Sequence, residues 1–287
     1  MTRTTGWLTL LSLAACVCAK SAWAETPLER GTYLVRSIVA CGNCHTPKGP
    51  EGDLPGQELA GMANVDNNDM WTANGSNITP DTETGIGNWS AEELAVAIRE
   101  GRRPDGTTIG PPMPFGLYRQ LSDEDLHAIV TYVQQVPAVS NAVPASEYRV
   151  PLPPNYGPPV EHVPSVSRED TVAYGAYLAG PLGHCIECHS PLGPNGPDMA
   201  NNLGAGGFVF NGPWGQSVSS NITPTGLERW SDEEIKAMIT QGQRPDGSPM
   251  KPPMPYTYYA NMTEEDLNAI VAYLRHCLLY TSDAADE

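Results

Sequence analysis

The sequence predicts an all-α protein made of two tandem helical units joined by a proline-rich linker. Three observations predict it. The first is an internal repeat, the mark of a duplicated structural unit. Gly31-Thr32-Tyr33-Leu34 returns as Gly175-Ala176-Tyr177-Leu178 at an offset of 144, and Asn77-Ile78-Thr79-Pro80 returns as Asn221-Ile222-Thr223-Pro224 at the same offset. Three residues are then lost. From Trp89 and Trp230 onward the offset is 141, through Arg103-Pro104-Asp105-Gly106 and Arg244-Pro245-Asp246-Gly247. The second observation is a set of four helix starts with a Ser/Thr-x-x-acid capping pattern: Ser90 with Glu93, Ser122 with Asp125, Ser231 with Glu234, and Thr263 with Asp266. The third is the stretch 137–164, which holds eight prolines and no helical periodicity.

In chain order, residues 1–24 have the pattern of a secretory signal: Arg3, an apolar run from Trp7 to Ala15, and Ala22-Trp23-Ala24 as an A-x-A cleavage site. That run is too short for a membrane span. A second reading takes Leu13-Ala14-Ala15-Cys16 as a lipobox that makes Cys16 a lipidated N-terminus; cleavage after Ala24 is placed ahead of it. Either reading exports the chain, so a periplasmic location is expected. Membrane association would come through a partner or through lipidated Cys16.

The first unit is assigned to residues 25–136. Behind the Ser122 cap, Leu126, Ile129, Val130 and Val133 form one apolar helical stripe. Gly31 lies in the helix before the unit's cysteine motif, where a second helix can approach closely. The spacing predicts that the last helix of the unit crosses it there. The linker, 137–168, is expected to be extended and semi-rigid, limiting the arrangements of the two units. The second unit, 169–276, repeats the stripe as Leu267, Ile270, Val271 and Leu274, with Gly175 in the place of Gly31. After Arg275 the repeat stops. The string from Cys277 to Glu287 resembles a translated library-adapter sequence, so 277–287 is expected to be an artefact and the second unit to be truncated near His276.

Cys41-Gly-Asn-Cys44-His45 occurs again as Cys185-Ile-Glu-Cys188-His189. Cys-x-x-Cys-His is the attachment signature of a c-type haem. Two thiols one helical turn apart can each add to a porphyrin vinyl group, and the histidine that follows lies under the ring. His45 and His189 are therefore read as proximal ligands, with Cys41, Cys44, Cys185 and Cys188 as thioether anchors. Cys-x-x-Cys also serves thioredoxin-like and zinc sites. A thioredoxin-like site wants a neighbouring strand-helix-strand pattern, which is absent. Two pairs sharing one zinc would not explain a histidine after both.

Each iron then has a free face. Met113 and Met254 lie in matching Pro-Pro-Met-Pro runs, downstream of their own histidines, and a thioether there would raise the reduction potential. Flanking prolines stiffen the loop and reduce the entropy lost on ligation. A methionine is more often core filler; the repeat and the upstream motif reverse that preference here. Met250 is set aside because its counterpart is Ile109, and Met62, Met70 and Met199 have no matching partners. Trp89 and Trp230 read as packing. Trp71 and Trp214 either bond a propionate or pack, and Arg103 and Arg244 either pair a propionate or brace a surface turn. His127 and His184 lack histidine counterparts, and His162 reads as an exposed linker residue.

Of the seven cysteines, four lie in the motifs, two in the leader and one in the tail, so none remains for a disulfide framework. Formal charge is −17. Removing Arg3 and Lys20 with the leader, and Asp283, Asp286 and Glu287 with the tail, leaves 14 basic and 30 acidic residues, or −16. Such a polyanion does not bind nucleic acid through backbone phosphates. The excess suits solubility first and a basic docking partner second.

Both units resemble class I cytochrome c domains over roughly residues 28–136 and 170–276. They are especially similar to dihaem and trihaem cytochrome c subunits that accept electrons from bacterial alcohol or aldehyde dehydrogenases. The resemblance implies two covalently attached haem c groups and single-electron transfer from a dehydrogenase partner toward a quinone or terminal oxidase chain. Substrate chemistry would belong to the partner. The alternative is a dihaem enzyme of the peroxidase or thiosulfate dehydrogenase type. The first wants an open distal face with acid–base groups, the second an unusual distal ligand such as cysteine. A methionine for each iron, with no spare cysteine in 25–276, weighs toward the carrier.

Overall fold

The computed structural model describes residues 25–194, 196–212 and 214–276. The expected signal peptide with Cys16, and the 277–287 tail, lie outside them. The first unit contains α1 (Pro27–Arg36), α2 (Gly42–His45), β1 (Lys48–Gly49), β2 (Gly52–Asp53), β3 (Met62–Asn67), β4 (Trp71–Gly75), α3 (Ala91–Glu100), α4 (Phe115–Tyr118) and α5 (Asp123–Val133). The linker adds β5 (Glu147–Tyr148). The second unit contains α6 (Thr171–Tyr177), a π-helical turn at Leu178–Leu182, α7 (Cys185–Cys188), β6 (Leu192–Gly193), β7 (Gly196–Pro197), β8 (Val209–Gly212), β9 (Gly215–Val218), α8 (Pro224–Leu227), α9 (Asp232–Gln241), α10 (Tyr256–Tyr259) and α11 (Glu264–His276). It repeats the order of the first with two additions, the π-helical turn and α8.

The expectation of an all-α fold needs correction. Helices build the core, but the segments after each attachment motif form short antiparallel hairpins, and β3, β4 and β5 make a three-stranded sheet. The physical reason is local. Residues 62–75 are rich in Asn and Asp and have no helical period. Asn68 closes the β3–β4 turn by accepting from the amides of Met70 and Trp71 through its side-chain oxygen.

The predicted helix crossing is present in both units. A Cβ on Gly31 would stand 2.0 Å from the Ala128 carbonyl oxygen, and one on Gly175 would stand 1.9 Å from that of Ala269. Glycine is therefore what lets α1 cross α5, and α6 cross α11, at backbone contact. The stripes predicted from the sequence are buried at these crossings, with Ile129 and Ile270 each 2% exposed.

The capping patterns divide into two kinds. Ser90–Glu93 and Ser231–Glu234 form complete boxes, each side chain meeting the other's backbone amide. Ser122 and Thr263 cap the amides of Asp125 and Asp266, but both carboxylates turn away. Asp125 pairs with Arg30 at 2.7 Å and accepts from the Tyr177 hydroxyl of the second unit at 2.8 Å. Asp266 accepts from the Tyr33 hydroxyl of the first unit at 2.6 Å. Each tyrosine hydroxyl also accepts from the amide of the opposite cap residue, Ser122 or Thr263, at 3.1 Å. Tyr33 and Tyr177 are repeat equivalents, as are Asp125 and Asp266. The units thus meet through a reciprocal, pseudo-two-fold contact of the kind found in symmetric dimers. One apolar core runs through both.

The linker does more than space the units: it is a belt laid on the first one. The Val139 carbonyl accepts from Asn77, and the Asn141 side chain donates to the Ala60 carbonyl. β5 pairs with β4, Tyr148 donates to the Pro111 carbonyl at 2.9 Å, and Tyr156 donates to the Ile109 carbonyl at 2.9 Å. His162 is exposed, as expected, but its Nδ1 lies 2.6 Å from Asp123 Oδ2. No helix among the described residues is long and apolar enough to cross a membrane.

Candidate haem-attachment sites

Each attachment motif forms one turn of helix at the end of a buried crossing helix. Ala40 and His184, the residues immediately before the motifs, adopt positive φ, 51° and 39°. That reversal turns the chain from α1, or from the π-helical turn, into the motif. No disulfide joins Cys41, Cys44, Cys185 and Cys188, and all four are half-buried. Burial pushes Cys41 and Cys188 up to about 12 and Cys185 up to about 11. Among the described residues no group of three or more Cys, His, Asp or Glu side chains converges on a metal position.

The histidines are held alike. His45 Nδ1 lies 2.7 Å from the Ser76 carbonyl oxygen, and His189 Nδ1 lies 2.7 Å from that of Ser220. The carbonyl can only accept, so Nδ1 carries the proton and Nε2 keeps its lone pair. Burial lowers the pKa of both imidazoles and favours the neutral, ligating form. The backbone of each motif is also tied down: the amides of Gly61 and Gly206 donate to the carbonyls of His45 and His189, each at 2.6 Å.

Met113 and Met254 are half-buried and pack on the same apolar core as Cys41 and Cys185. Their loops are pinned at equivalent points, by Ile109 N to Gly101 O and by Met250 N to Gly242 O, each 2.7 Å. Belt residue Tyr148 holds the Pro111 carbonyl, and Ser217 holds that of Pro252 at 2.7 Å. The donor set at each site fits a covalently attached haem: two thiols one turn apart, a neutral imidazole with Nε2 free, and a thioether on a braced loop.

The undecided residues sort themselves. Arg103 and Arg244 donate to carbonyls of their own turns, those of Thr108 and Pro249, so they brace those turns. Trp71 donates its indole N–H to Asp66 at 2.6 Å. His184 is half-buried against Tyr118, ring centres 6.2 Å apart, and His127 is exposed. Sequence reasoning missed Ser76 and Ser220, which act through backbone carbonyls that no side-chain pattern reveals. It also missed Tyr118 and Tyr259, buried beside the anchor cysteines. The repeat does carry a signal for these two: each tyrosine stands five residues after its methionine.

The fold and the two sites define a tandem of cytochrome c domains. Residues 26–133 match the family model described as cytochrome c oxidase, cbb3-type, subunit III, and residues 172–277 match the one described as cytochrome c. The protein belongs with the dihaem c-type cytochromes and carries two covalently bound haem c groups. It is 31% identical to the cytochrome c subunit of a quinone-dependent alcohol dehydrogenase of Gluconobacter oxydans, over 88% of this chain and 55% of that one. It is 29% identical to the gluconate 2-dehydrogenase cytochrome c subunit of Pantoea cypripedii, over 93% of this chain and 63% of that one. A dihaem c-type cytochrome of Cereibacter sphaeroides is 27% identical over 92% of this chain and 95% of its own length. The chain thus spans about half the length of the first relative and most of the last.

Proposed function

We propose that this protein is a periplasmic electron carrier, the cytochrome c partner of a dehydrogenase, passing single electrons toward a quinone or terminal oxidase chain. In this reading Cys41, Cys44, Cys185 and Cys188 anchor the haems by thioether bonds. His45 with Met113, and His189 with Met254, ligate the two irons. The haems supply a reversible one-electron change. The chain supplies the rest: the carbonyls of Ser76 and Ser220 hold the imidazoles in the ligating tautomer, braced proline loops present the thioethers, and the apolar core keeps water out.

The observation that carries the reading is the repeated imidazole geometry, 2.7 Å from Nδ1 to a backbone carbonyl at both sites. The dehydrogenase partner is supported by what the relatives are called, cytochrome c subunits of alcohol and gluconate dehydrogenases. The export pattern in residues 1–24 supports the periplasm, where covalent haem attachment takes place. Membrane association would follow from the partner or from a lipidated Cys16. The test is optical and electrochemical. The oxidised protein should show the weak long-wavelength band of methionine–iron coordination at both sites. Met113→Ala should abolish half of it and lower one reduction potential, and Met254→Ala should do the same to the other. A protein in which both substitutions left spectra and potentials unchanged would have different axial ligands, and the carrier reading would be lost.

A further inference from the structure

One contact across the seam has no polar counterpart at the other site. Tyr258 belongs to α10 of the second unit, yet it rests on the attachment helix of the first. A Cβ on Gly42 would stand 2.5 Å from its hydroxyl oxygen. That hydroxyl donates to Asp53 Oδ2 and accepts from Lys48 Nζ at 3.1 Å. The Lys48 ammonium is paired with Asp53 and lies 5.1 Å from the centre of the Tyr258 ring. Its remaining bond runs to the Gly42 carbonyl at 2.8 Å. All three ammonium donors are therefore used. Gly42 lies between Cys41 and Cys44, so that last bond seats a positive charge on the attachment helix itself.

The repeat shows how specific this is. The second site has Ile186, Leu192 and Pro197 where the first has Gly42, Lys48 and Asp53, and Leu117 stands where the second unit has Tyr258. None of the four carries charge, and Leu117 is buried. Two sites of the same ancestry thus differ in one fixed cation and in the tyrosine that reaches across to hold it, and also in Glu187 of the second motif, whose counterpart is Asn43. Asp53 bonds the ammonium and the tyrosine, whereas Lys48 alone bonds the helix, so the cation is the end of the ion pair nearer the site. Asp66 also faces Cys44, with its carboxylate held by the Trp71 indole. A cation fixed beside a redox centre stabilises the state that holds one more electron. Lys48 keeps 30% of its side-chain surface in water, which weakens the effect without removing it.

We infer that Lys48, held against α2 by Asp53 and by Tyr258 of the second unit, raises the reduction potential of the first site alone. Tyr258 is then a positioning residue: the second unit sets a property of the first. The inference rests on the reading of His45 with Met113, and His189 with Met254, as the ligands of two irons.

The experiment is a spectroelectrochemical titration of the full chain with both haems attached. Met254→His assigns the waves, because a second imidazole on the second iron lowers that wave and leaves the other as the first site. If it moves neither wave, the ligand reading itself fails. With the waves assigned, Lys48→Leu should lower the first-site potential and leave the second in place. Tyr258→Phe, which keeps the ring and removes the hydroxyl, should lower the same wave by a smaller amount. In the Lys48→Leu background it should add no further shift. The inference is overturned if Lys48→Leu leaves the first wave in place or moves both waves equally. It is also overturned if Tyr258→Phe shifts that wave by the same amount with and without Lys48.

Discussion

Asp125 and Asp266 show what a single residue can hide. Both stand at the third position after a Ser or Thr cap, where an acid ordinarily returns to the cap amide. Both instead accept a tyrosine hydroxyl from the other unit. Only the partner side chain decides between these fates, and that partner is 52 residues away for Asp125 and 233 for Asp266. The caps should therefore differ in weight. Ser90→Ala should cost about 1 kcal/mol, the usual value of an N-cap. Ser122→Ala should cost more, because Ser122 Oγ also lies 3.2 Å from the Tyr177 hydroxyl, within hydrogen-bond reach. Denaturant unfolding of the two variants compares them directly. Gly31 gives a second prediction at this scale. Its missing Cβ is where α5 crosses, so Gly31→Ala should destabilise by about 2–3 kcal/mol through overpacking, and should do so with the haem still attached. A thermal unfolding curve beside an unchanged visible spectrum would be the expected result.

At the scale of the element, the linker departs furthest from expectation. Its prolines predict an extended chain, and it is extended. Composition could not show that its carbonyls, Asn141 and two tyrosines would each meet a group on the first unit. Those partners, Asn77, Ala60, Ile109 and Pro111, are themselves placed only once α1 and α5 have closed the unit. Tyr148→Ala should release the belt where it braces the Met113 loop. Amide exchange should quicken in β4 at Trp71 and Thr72, with the helices unaffected, and the loss should be about 1–2 kcal/mol. The hairpins teach a related lesson. Loops without helical period were legible as non-helical, but pairing of β3 with β4 depends on a turn closed by Asn68, a detail below the resolution of pattern reading.

At the scale of the whole molecule, two copies of one unit face each other as a symmetric dimer would, fused into a single chain. Among the reciprocal carboxylates of the seam the symmetry is broken. Arg30 neutralises Asp125 in the first unit, while its repeat equivalent in the second is Tyr174, which leaves Asp266 without an arginine at that position. Removing a hydroxyl from the two carboxylates should therefore have unequal consequences. Tyr177→Phe leaves Asp125 with Arg30; Tyr33→Phe takes a hydrogen bond from a buried carboxylate that has no such arginine. Tyr33→Phe should cost more, by about 1 kcal/mol or above, as read from equilibrium unfolding of the two variants side by side. Equal costs would mean that the two halves of the seam are held by packing and that the reciprocal hydrogen bonds add little.

The residues by themselves determined the duplication, the helix crossings at Gly31 and Gly175, and the cysteines, histidines and methionines that make up each candidate site. These are local or periodic features, written in adjacent residues or in a constant offset. Tertiary structure alone decided that Ser76 and Ser220 orient the imidazoles, that the linker clasps the first unit, and that Lys48 and Tyr258 distinguish the two sites. Each depends on a backbone group or on a partner far away in the chain. Spacing along a sequence carries no record of which distant atoms a folded core will bring within reach.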